Sequence, residues 1–335
     1  MNRLLLILAI LIVAIGIPGS ALAGGLVPGV VQNYANLNGH CPNPEGIAID
    51  PVGNVYATSA PRIFGGTGPS NICVISTTGA IREIPIAPGP AGVTNTLGAL
   101  FEPGQGLYVV DYANGVAGNG RLLKVDPGSG QITVLALGFA AANGIAQDRH
   151  RNLFVSDSFA GTITRVAPDG SVSTWSADPL LLPAPEFPFG ANGVTFDRDQ
   201  KFLYVANTST RRIIRIPVLA DGSAGSAEIF ADGTTLNARE GTTDALVRAD
   251  GIMFDVAGNL YVCANLSNEI QVLSADGSAI IHRYMGNGAN AFDFDASLVF
   301  KGQSLYISNL SLFDGGANSK VSVMGVPLPG LPLRP

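Results

Sequence analysis

Residues 249–278 have the sequence ADGIMFDVAGNLYVCANLSNEIQVLSADGS. Short runs rich in apolar, β-branched and aromatic residues alternate in this stretch with clusters of Gly, Asn and Asp, a pattern typical of strands joined by tight turns. The predicted strands cover 252–254, 260–264 and 269–273, and the turn at 275–278 leads into a fourth strand. The stretch therefore predicts one four-stranded antiparallel unit.

Similar units recur along the chain. In each copy a strand is followed by a turn and a second strand that often contains an aromatic residue, as in the Leu203-Tyr204-Val205 run. A repeat of roughly 40–50 residues with four strands is typical of a β-propeller. We therefore predict an all-β fold, a six-bladed β-propeller of four-stranded antiparallel blades. The copies begin near residues 45, 97, 143, 192, 250 and 296.

The two ends of the repeat region complement each other. The last copy has only three evident strands, whereas residues 29–34 form an unassigned strand before the first copy. We expect this N-terminal strand to complete the sixth blade and so to leave no edge open. A single propeller domain is predicted over 24–326, followed by a Pro-rich tail over 327–335. Longer insertions, expected to be loops, cover 61–69, 177–189 and 232–248.

The N-terminus has the features of a secretory signal peptide. Arg3 precedes an apolar run over 4–17, and Ala21-Leu22-Ala23 provides small residues at a cleavage position. We expect a signal peptide over 1–23, cleavage after Ala23, and a secreted or periplasmic protein whose mature chain does not span a membrane. The net charge of −6, with no basic cluster, argues against nucleic acid as a partner.

The three cysteines are expected to play different roles. In an oxidising compartment, Cys41 and Cys73 could form a disulfide between the N-terminal lead and the first blade. Cys263 lies within a predicted strand and is expected to be a small buried residue. No spacing of Cys and His typical of a zinc site is present in the sequence.

The first residues of the first strands are expected to share one end of the propeller. If the first strand of each blade is innermost, these residues surround the central channel. Carboxylate and amide oxygens suit Ca²⁺, and the lack of His and Cys among these positions disfavours zinc. The sequence therefore predicts a cation site. The starting residues are Glu45, Leu97, Asn143, Asn192, Asp250 and, in the last copy, Asp295 or Ser297.

An alternative interpretation treats the same residues as turn formers. Asn-Gly and Asp-Gly are frequent in turns, although Glu45 is not a turn residue and the shared register favours the cation site. Two further series of polar residues are more structural. We expect turn caps in the first hairpins at Asp50, Asp148, Asp197 and Asp255. We expect either support of the site or loop capping at Asp111, Asp157, Asn207, Asn265 and Asn309.

The repeats resemble the gluconolactonase/regucalcin (senescence marker protein) family of six-bladed propellers. The most similar phrase is Asp250-Gly251 followed by Gly258-Asn259-Leu260-Tyr261-Val262. The resemblance implies one divalent cation, held by Glu45, Asn192 and Asp250, and a substrate contact from Asn143.

The sequence around Asn143 departs from the family pattern. Ala141 and Ala142 stand where the family often has an Arg, and Gly144 stands where an Asp is frequent. The repeat phrase also resembles NHL and streptogramin-lyase-like propellers, which include pure binding modules. These departures put recognition of a sugar acid in question while the cation ligands match.

The expected function is that of an exported, divalent-metal-dependent hydrolase of a lactone or related ester. The cation, Ca²⁺ by residue type, would polarise the carbonyl, Asp250 or a neighbouring carboxylate would transfer the proton, and Asn143 would orient the substrate. The sequence contains no GxSxG motif, which disfavours a serine nucleophile. Two alternatives stay open: a non-catalytic ligand- or protein-binding propeller with a structural cation, and a lyase or condensing enzyme that uses the same pocket.

Overall fold

A computed structural model describes residues 26–63 and 68–332 of this protein. The predicted signal peptide over 1–23 lies outside these residues. The described part forms six antiparallel sheets of four strands each, which confirms the predicted six-bladed β-propeller. Among the described residues, no helix is long and apolar enough to cross a membrane.

The strands follow the chain blade by blade. The N-terminal strand is β1 (Gln32–Asn36). Blade 1 contains β2 (Ile47–Ile49), β3 (Val55–Ala57), β4 (Asn71–Ile75) and β5 (Ile81–Pro85). Blade 2 contains β6 (Thr96–Glu102), β7 (Gly106–Asp111), β8 (Gly120–Val125) and β9 (Ile132–Phe139). Blade 3 contains β10 (Ala142–Gln147), β11 (Leu153–Asp157), β12 (Thr162–Val166) and β13 (Val172–Ser176).

The second half of the chain repeats this order. Blade 4 contains β14 (Ala191–Phe196), β15 (Phe202–Asn207), β16 (Arg212–Pro217) and β17 (Glu228–Asp232). Blade 5 contains β18 (Ala249–Phe254), β19 (Leu260–Ala264), β20 (Glu269–Leu273) and β21 (Ile280–Tyr284). Blade 6 contains β22 (Asp295–Lys301), β23 (Ser304–Asn309) and β24 (Lys320–Gly325), and its outermost strand is β1. The pairing of β1 with β24 confirms closure by the N-terminal strand.

The first strand of every blade is innermost. Strands β2, β6, β10, β14, β18 and β22 contact one another in a closed ring around the axis. Aromatic side chains join neighbouring blades outside this ring. For example, Phe154 of β11 packs edge to face on Phe196 of β14 at 5.1 Å, and Tyr204 of β15 packs in the same way on Phe254 of β18 at 4.8 Å. The aromatic residue in the second strand of the repeat thus serves packing between blades.

Five of the six innermost strands carry a β-bulge at the position of the starting residue, and β2 of blade 1 is the exception. In β10, Asn143 and Gly144 together oppose the single residue Ser156 of β11. The same irregularity is present in β6, β14, β18 and β22. The alternative that these dipeptides form turns is therefore wrong, because they lie inside strands. A bulge turns a side chain away from the regular alternation, which here places the same position of each blade at the axis.

The glycine after each site position allows the inner strands to approach closely. A Cβ atom on Gly144 would collide with the carbonyl oxygen of Asn192, and one on Gly193 would collide with that of Asp250. Neither glycine has a positive φ, so the lack of space rather than the backbone conformation requires glycine. The narrow ring of backbones is what brings the site residues of different blades together.

The predicted turn caps are confirmed. In each of four blades an Asp at the end of the first strand accepts hydrogen bonds from backbone N–H groups of the following turn, as Asp148 does from Asn152 at 2.8 Å. The others are Asp50, Asp197 and Asp255. Cys41 and Cys73 form the expected disulfide, and Cys263 is a free, buried cysteine.

The long insertion before blade 5 contains a helix that the sequence interpretation missed. Helix α1 (Gly233–Glu240) begins after Asp232, whose side chain accepts hydrogen bonds from Thr234 and Thr235, and ends at Gly241 in the left-handed conformation. The prediction of an irregular loop was therefore wrong for this segment. The loop before blade 4 contains only the 3-10 turn Pro179–Leu181.

The C-terminal tail crosses the end of the channel opposite the bulges. The backbone N–H of Leu331 donates to the carbonyl of Phe254 at 2.9 Å, and Gly330 forms a bridge with Asp255. A cavity of about 310 Å³ lies in the channel between the bulge glycines and this tail, and its walls include Ile145 and Val194. The lining of this cavity is mainly apolar, although Gln147, Asp197, Arg198 and Gln200 also contribute to it.

Candidate metal centre

The predicted site residues are all buried at the bulge end of the channel. Exposed fractions are 4% for Glu45, 3% for Asn143, 4% for Asn192 and 5% for Asp250. In blade 6 the register places Ala296, opposite Ser308, at the position that Asn143 has in blade 3. The predicted starting residues were therefore wrong by one position: Asp295 precedes Ala296 and Ser297 follows it. The polar ring is therefore formed by residues from blades 1, 3, 4 and 5.

A hydroxyl group holds each of the two asparagine amides. Asn143 Nδ2 donates to Ser158 Oγ at 3.0 Å, and Asn192 Nδ2 donates to Thr208 Oγ1 at 2.9 Å. Both hydroxyls in turn donate to backbone carbonyls of the next blade, at 2.7 and 2.8 Å. One N–H of each amide is engaged in this way, which leaves the carbonyl oxygen and the second N–H for other partners, and Asn192 also donates to Asp250.

The same supporting position in blade 5 is occupied by Asn265. Its Nδ2 donates to Asp250 Oδ2 at 2.9 Å. In β18 and β19, Ala249 pairs with Ala264, so Asn265 corresponds to Ser158 and Thr208 rather than to the ends of the second strands. The sequence left two roles open for Asn265, support of the site or capping of a loop, and its hydrogen bond to Asp250 shows support of the site.

The other four polar residues at the ends of the second strands form hydrogen bonds with the backbone of loops. Asp157 Oδ1 accepts from the backbone of Ala141 at 2.9 Å, and Asp111 Oδ1 accepts from that of Ala113 at 2.8 Å. Asn207 Nδ2 donates to the carbonyl of Leu182 at 3.0 Å. Asn309 Oδ1 accepts from the backbone of Asp293 at 3.0 Å. None of these contacts reaches the ring.

Glu45 and Asp250 form an electrostatically unfavourable buried pair. Burial, and then the charge of Asp250, raise the pKa of Glu45 well above its ordinary value. Burial raises the pKa of Asp250 to about 8, although hydrogen bonds from Asn265 and Asn192 act in the opposite direction. One oxygen of each carboxyl, Glu45 Oε2 and Asp250 Oδ1, is buried without a hydrogen-bond partner. Burying a carboxylate oxygen without a partner lowers the stability of the fold, and binding of a cation would offset this loss.

Asp295 is a further buried carboxyl beside this pair. It is fully buried, and neither of its oxygens has a conventional hydrogen-bond partner. Burial, together with the charge of Asp250, raises its pKa well above the ordinary value, and the Cys263 thiol lies against it. Sequence reasoning named Asp295 only as a less secure ring position, and only the register and burial show its proximity to Asp250.

The donor set fits a hard divalent cation. In residues 26–63 and 68–332, no three His, Cys, Asp or Glu side chains form a group able to hold a metal ion. A cation bound at the ring would therefore need an amide oxygen among its ligands. The predicted set of Glu45, Asn192 and Asp250 provides two carboxylates with unsatisfied oxygens and one amide oxygen. Oxygen ligands of this kind are those that Ca²⁺ prefers. Asn192 and Asp250 reach the axis from the bulges of blades 4 and 5, and Glu45 reaches it from the segment just before β2 of blade 1.

Residues 185–307 match the family model described as SMP-30/Gluconolactonase/LRE-like region. The resemblance predicted from the sequence is thereby confirmed over this part of the chain. The matched region contains Asn192 and Asp250, whereas Glu45 and Asn143 lie before it. No curated protein matches the chain.

Solved structures with similar folds extend over most of the chain. A gluconolactonase from Xanthomonas campestris is 16% identical, with a TM-score of 0.61, and the match covers 90% of this chain and 89% of the other. A calcium-binding protein, regucalcin, from Agrobacterium tumefaciens is 16% identical, with a TM-score of 0.63 and coverage of 89% and 93%. A streptogramin B lyase is also 16% identical, with a TM-score of 0.56 and coverage of 88% and 87%. At this identity the likeness concerns the fold.

Proposed function

We propose that this protein is an exported, divalent-metal-dependent hydrolase of a lactone or a related ester, with Ca²⁺ as the cation. The observation that carries the proposal is the convergence of Glu45 and Asp250, each with an unsatisfied buried oxygen, beside the hydroxyl-held amide of Asn192. The match of residues 185–307 to the gluconolactonase-like family supports a reaction of this class.

The cation site accounts for the electrophilic part of the reaction. When bound by Glu45, Asn192 and Asp250, a divalent cation supplies polarisation of the ester carbonyl and lowers the pKa of a water molecule. The fold relative named as a calcium-binding regucalcin supports Ca²⁺ as the ion, as do the oxygen-only ligands. Metal dependence is the first part of the proposal to test.

The acid–base part is assigned to the buried carboxyls. Without a cation, burial raises the pKa of Asp250 to about 8, and a bound cation would lower it, so that the carboxylate could accept a proton. We assign to it the removal of a proton from the attacking water and the return of that proton to the leaving alkoxide. Burial of the ring excludes bulk water, which strengthens these interactions.

Asn143 is assigned to the substrate. One of its amide N–H groups donates to Ser158, and we assign its carbonyl oxygen to the substrate as a hydrogen-bond acceptor. An acceptor at this place recognises a hydroxyl group next to the scissile ester rather than the carbonyl itself. We therefore propose that Asn143 orients the substrate and takes no part in proton transfer.

Export is supported by the disulfide between Cys41 and Cys73, because disulfides persist in oxidising compartments. Together with the predicted signal peptide over 1–23, it favours a secreted or periplasmic location. N-terminal sequencing of the protein from its native host tests this part. We expect Gly24 as the first residue, and a chain that begins at Met1 or Asn2 would contradict it.

The central experiment combines Ca²⁺ binding with a lactone and aryl-ester screen. Calorimetric titration of chelated protein should show one Ca²⁺ site in the wild type and none in Asp250→Asn or Glu45→Gln. Hydrolysis should require Ca²⁺ and be lost in both variants, whereas Asp276→Asn, an exposed turn residue, serves as the matched control. Ca²⁺ binding without hydrolysis of any ester would favour the non-catalytic binding propeller.

A further inference from the structure

Two insertions meet at the end of the propeller that holds the candidate metal centre. Phe187 lies in the loop between β13 and β14, and Arg248 ends the loop before β18. The guanidinium carbon of Arg248 lies 3.5 Å from the centroid of the Phe187 ring. Both loops lead from a fourth strand to the next first strand, so they lie at the end of the propeller that holds the bulges. Arg248 is two residues before Asp250 in the chain.

Phe187 belongs to a continuous group of aromatic side chains, which we call the aromatic wall: Tyr112, Phe159, Phe187 and Phe189. Ring centroids are 5.3 Å apart for Phe187 and Phe189, 5.1 Å for Phe159 and Phe189, and 5.8 Å for Tyr112 and Phe159. Tyr112 and Phe159 follow the second strands β7 and β11, which end on the same face. The wall thus extends from blade 2 to Arg248.

Arg248 differs from the other arginines in residues 26–63 and 68–332. Each of the others donates a hydrogen bond or forms an ion pair. Arg248 does neither, and the nearby carboxylate of Glu186 acts on it only from beyond ion-pair distance. Arg248 is half-buried, and the Phe187 ring covers one face of its guanidinium. Among the described residues, this partly buried charge therefore has a carboxylate nearby but no hydrogen-bonded counter-ion of the kind that stabilises such groups best.

The backbone of Arg248 has a φ of 55°, a conformation that residues with side chains adopt rarely. Such conformations concentrate at functional sites, where they fix the direction of a side chain. Here the conformation accompanies the placement of the guanidinium against Phe187. Stacking on the ring occupies one face of the guanidinium and leaves its N–H edge for a planar anion.

We propose that Arg248 and the aromatic wall form a substrate-specificity site, and that the substrate carries a carboxylate joined to an aromatic or similarly flat apolar group. The carboxylate supplies a hydrogen-bonded counter-ion for Arg248, and the flat group packs on the wall. The ester or lactone of the same molecule then reaches Asp250 and Asn143. The reaction in this proposal rests on the proposed function, whereas the binding of such a molecule does not.

The binding test uses phenylacetate and its neutral analogue phenylacetamide, titrated by calorimetry in the presence of a chelator. We expect phenylacetate to bind more tightly to the wild type, its Kd to rise at least tenfold in Arg248→Gln, and Arg248→Lys to restore part of the affinity. Arg211→Gln removes a nearby exposed positive charge and should change the Kd less than twofold. Phe187→Leu keeps the charge but removes part of the wall, and should weaken both probes.

The reaction test compares phthalide with carboxyphthalide in the presence of Ca²⁺. We expect the ratio of kcat/KM for carboxyphthalide over phthalide to fall at least tenfold in Arg248→Gln. If the wild type cleaves no lactone but binds phenylacetate through Arg248, the proposed function is wrong and the specificity site stands. Equal phenylacetate affinity in the wild type and in folded Arg248→Gln or Arg248→Lys overturns the specificity site, whatever the outcome with lactones.

Discussion

Without the proposed cation, this protein should become less stable to unfolding as the pH rises. The pKa of Asp250 is raised from 3.8 to about 8 in the folded protein. Between these values the folded state keeps a proton that the unfolded state releases, so the free energy of unfolding falls by about 1.4 kcal/mol per pH unit for this group. From pH 5 to 7 the loss from Asp250 amounts to about 3 kcal/mol. The raised pKa values of Glu45 and Asp295 act in the same direction.

The assay is urea unfolding in a chelator at pH 5, 6 and 7, for the wild type and for Asp250→Asn. The variant has no ionisable group at this position, so we expect its slope with pH to be shallower by about 1.4 kcal/mol per unit. Asp276→Asn is the matched control, because Asp276 has a pKa lowered to about 2 and is fully ionised over the whole range. Its slope should equal that of the wild type.

Calcium should counteract the loss of stability at higher pH. An ion that binds the ionised carboxyls stabilises the folded state more at pH 7 than at pH 5, and it should have no such effect on Asp250→Asn. The reasoning would be refuted by equal pH slopes in the wild type and Asp250→Asn, or by equal stabilisation of both proteins by calcium. Either result would mean that Asp250 does not titrate as a buried carboxyl at a cation site.

The remaining predictions concern the groups that support the ring and the first blade. Thr208→Val should weaken Ca²⁺ binding about tenfold, measured by calorimetry, because it removes the hydroxyl that holds the Asn192 amide. Gly193→Ala should lower the free energy of unfolding by about 1–3 kcal/mol in urea, since the added Cβ would collide with a neighbouring inner strand. Reduction of the disulfide between Cys41 and Cys73 should cost about 2–4 kcal/mol, measured by unfolding with and without a reductant.

Matched variants separate these effects from general damage. Thr210→Val removes a nearby buried hydroxyl that has no partner, so it should leave Ca²⁺ affinity unchanged; equal weakening by both threonine variants would contradict the role of Thr208. Gly128→Ala adds a Cβ with only one side-chain atom nearby, at 3.3 Å, and should be nearly neutral. A double Cys41→Ala/Cys73→Ala variant should not respond to the reductant, and a response would point to another target.

Much of the fold was predictable from the sequence because its signals are local. Strand patterns, the turn-capping Asp residues and the repeat length all arise within about 50 residues, as in the unit over 249–278. Closure by the N-terminal strand followed from counting strands. The helix Gly233–Glu240 was missed because its apolar face is short, and its caps, Asp232 and Gly241, were assigned to a loop.

The candidate site was predictable only in part. The residue types at the starts of the first strands suggested the cation ligands, but one-residue errors in register misplaced the ring position of blade 6 and the position of Asn265 relative to the end of β19. Turns of unequal length between the first two strands cause such errors, because spacing in the chain then no longer measures position in the sheet. The supporting hydroxyls of Ser158 and Thr208 were missed for the same reason.

By itself, the sequence determined the blade repeat, the number of blades and the oxygen-bearing side chains at corresponding positions. The tertiary structure decided that Glu45 and Asp250, which are far apart in the chain, share one buried environment, and that Arg248 stacks on Phe187. It also decided that the glycine after each ring residue is required for space rather than for a turn. The physical reason is that these relations depend on how closely the inner strands approach one another, and that distance is set by closure of the ring of blades.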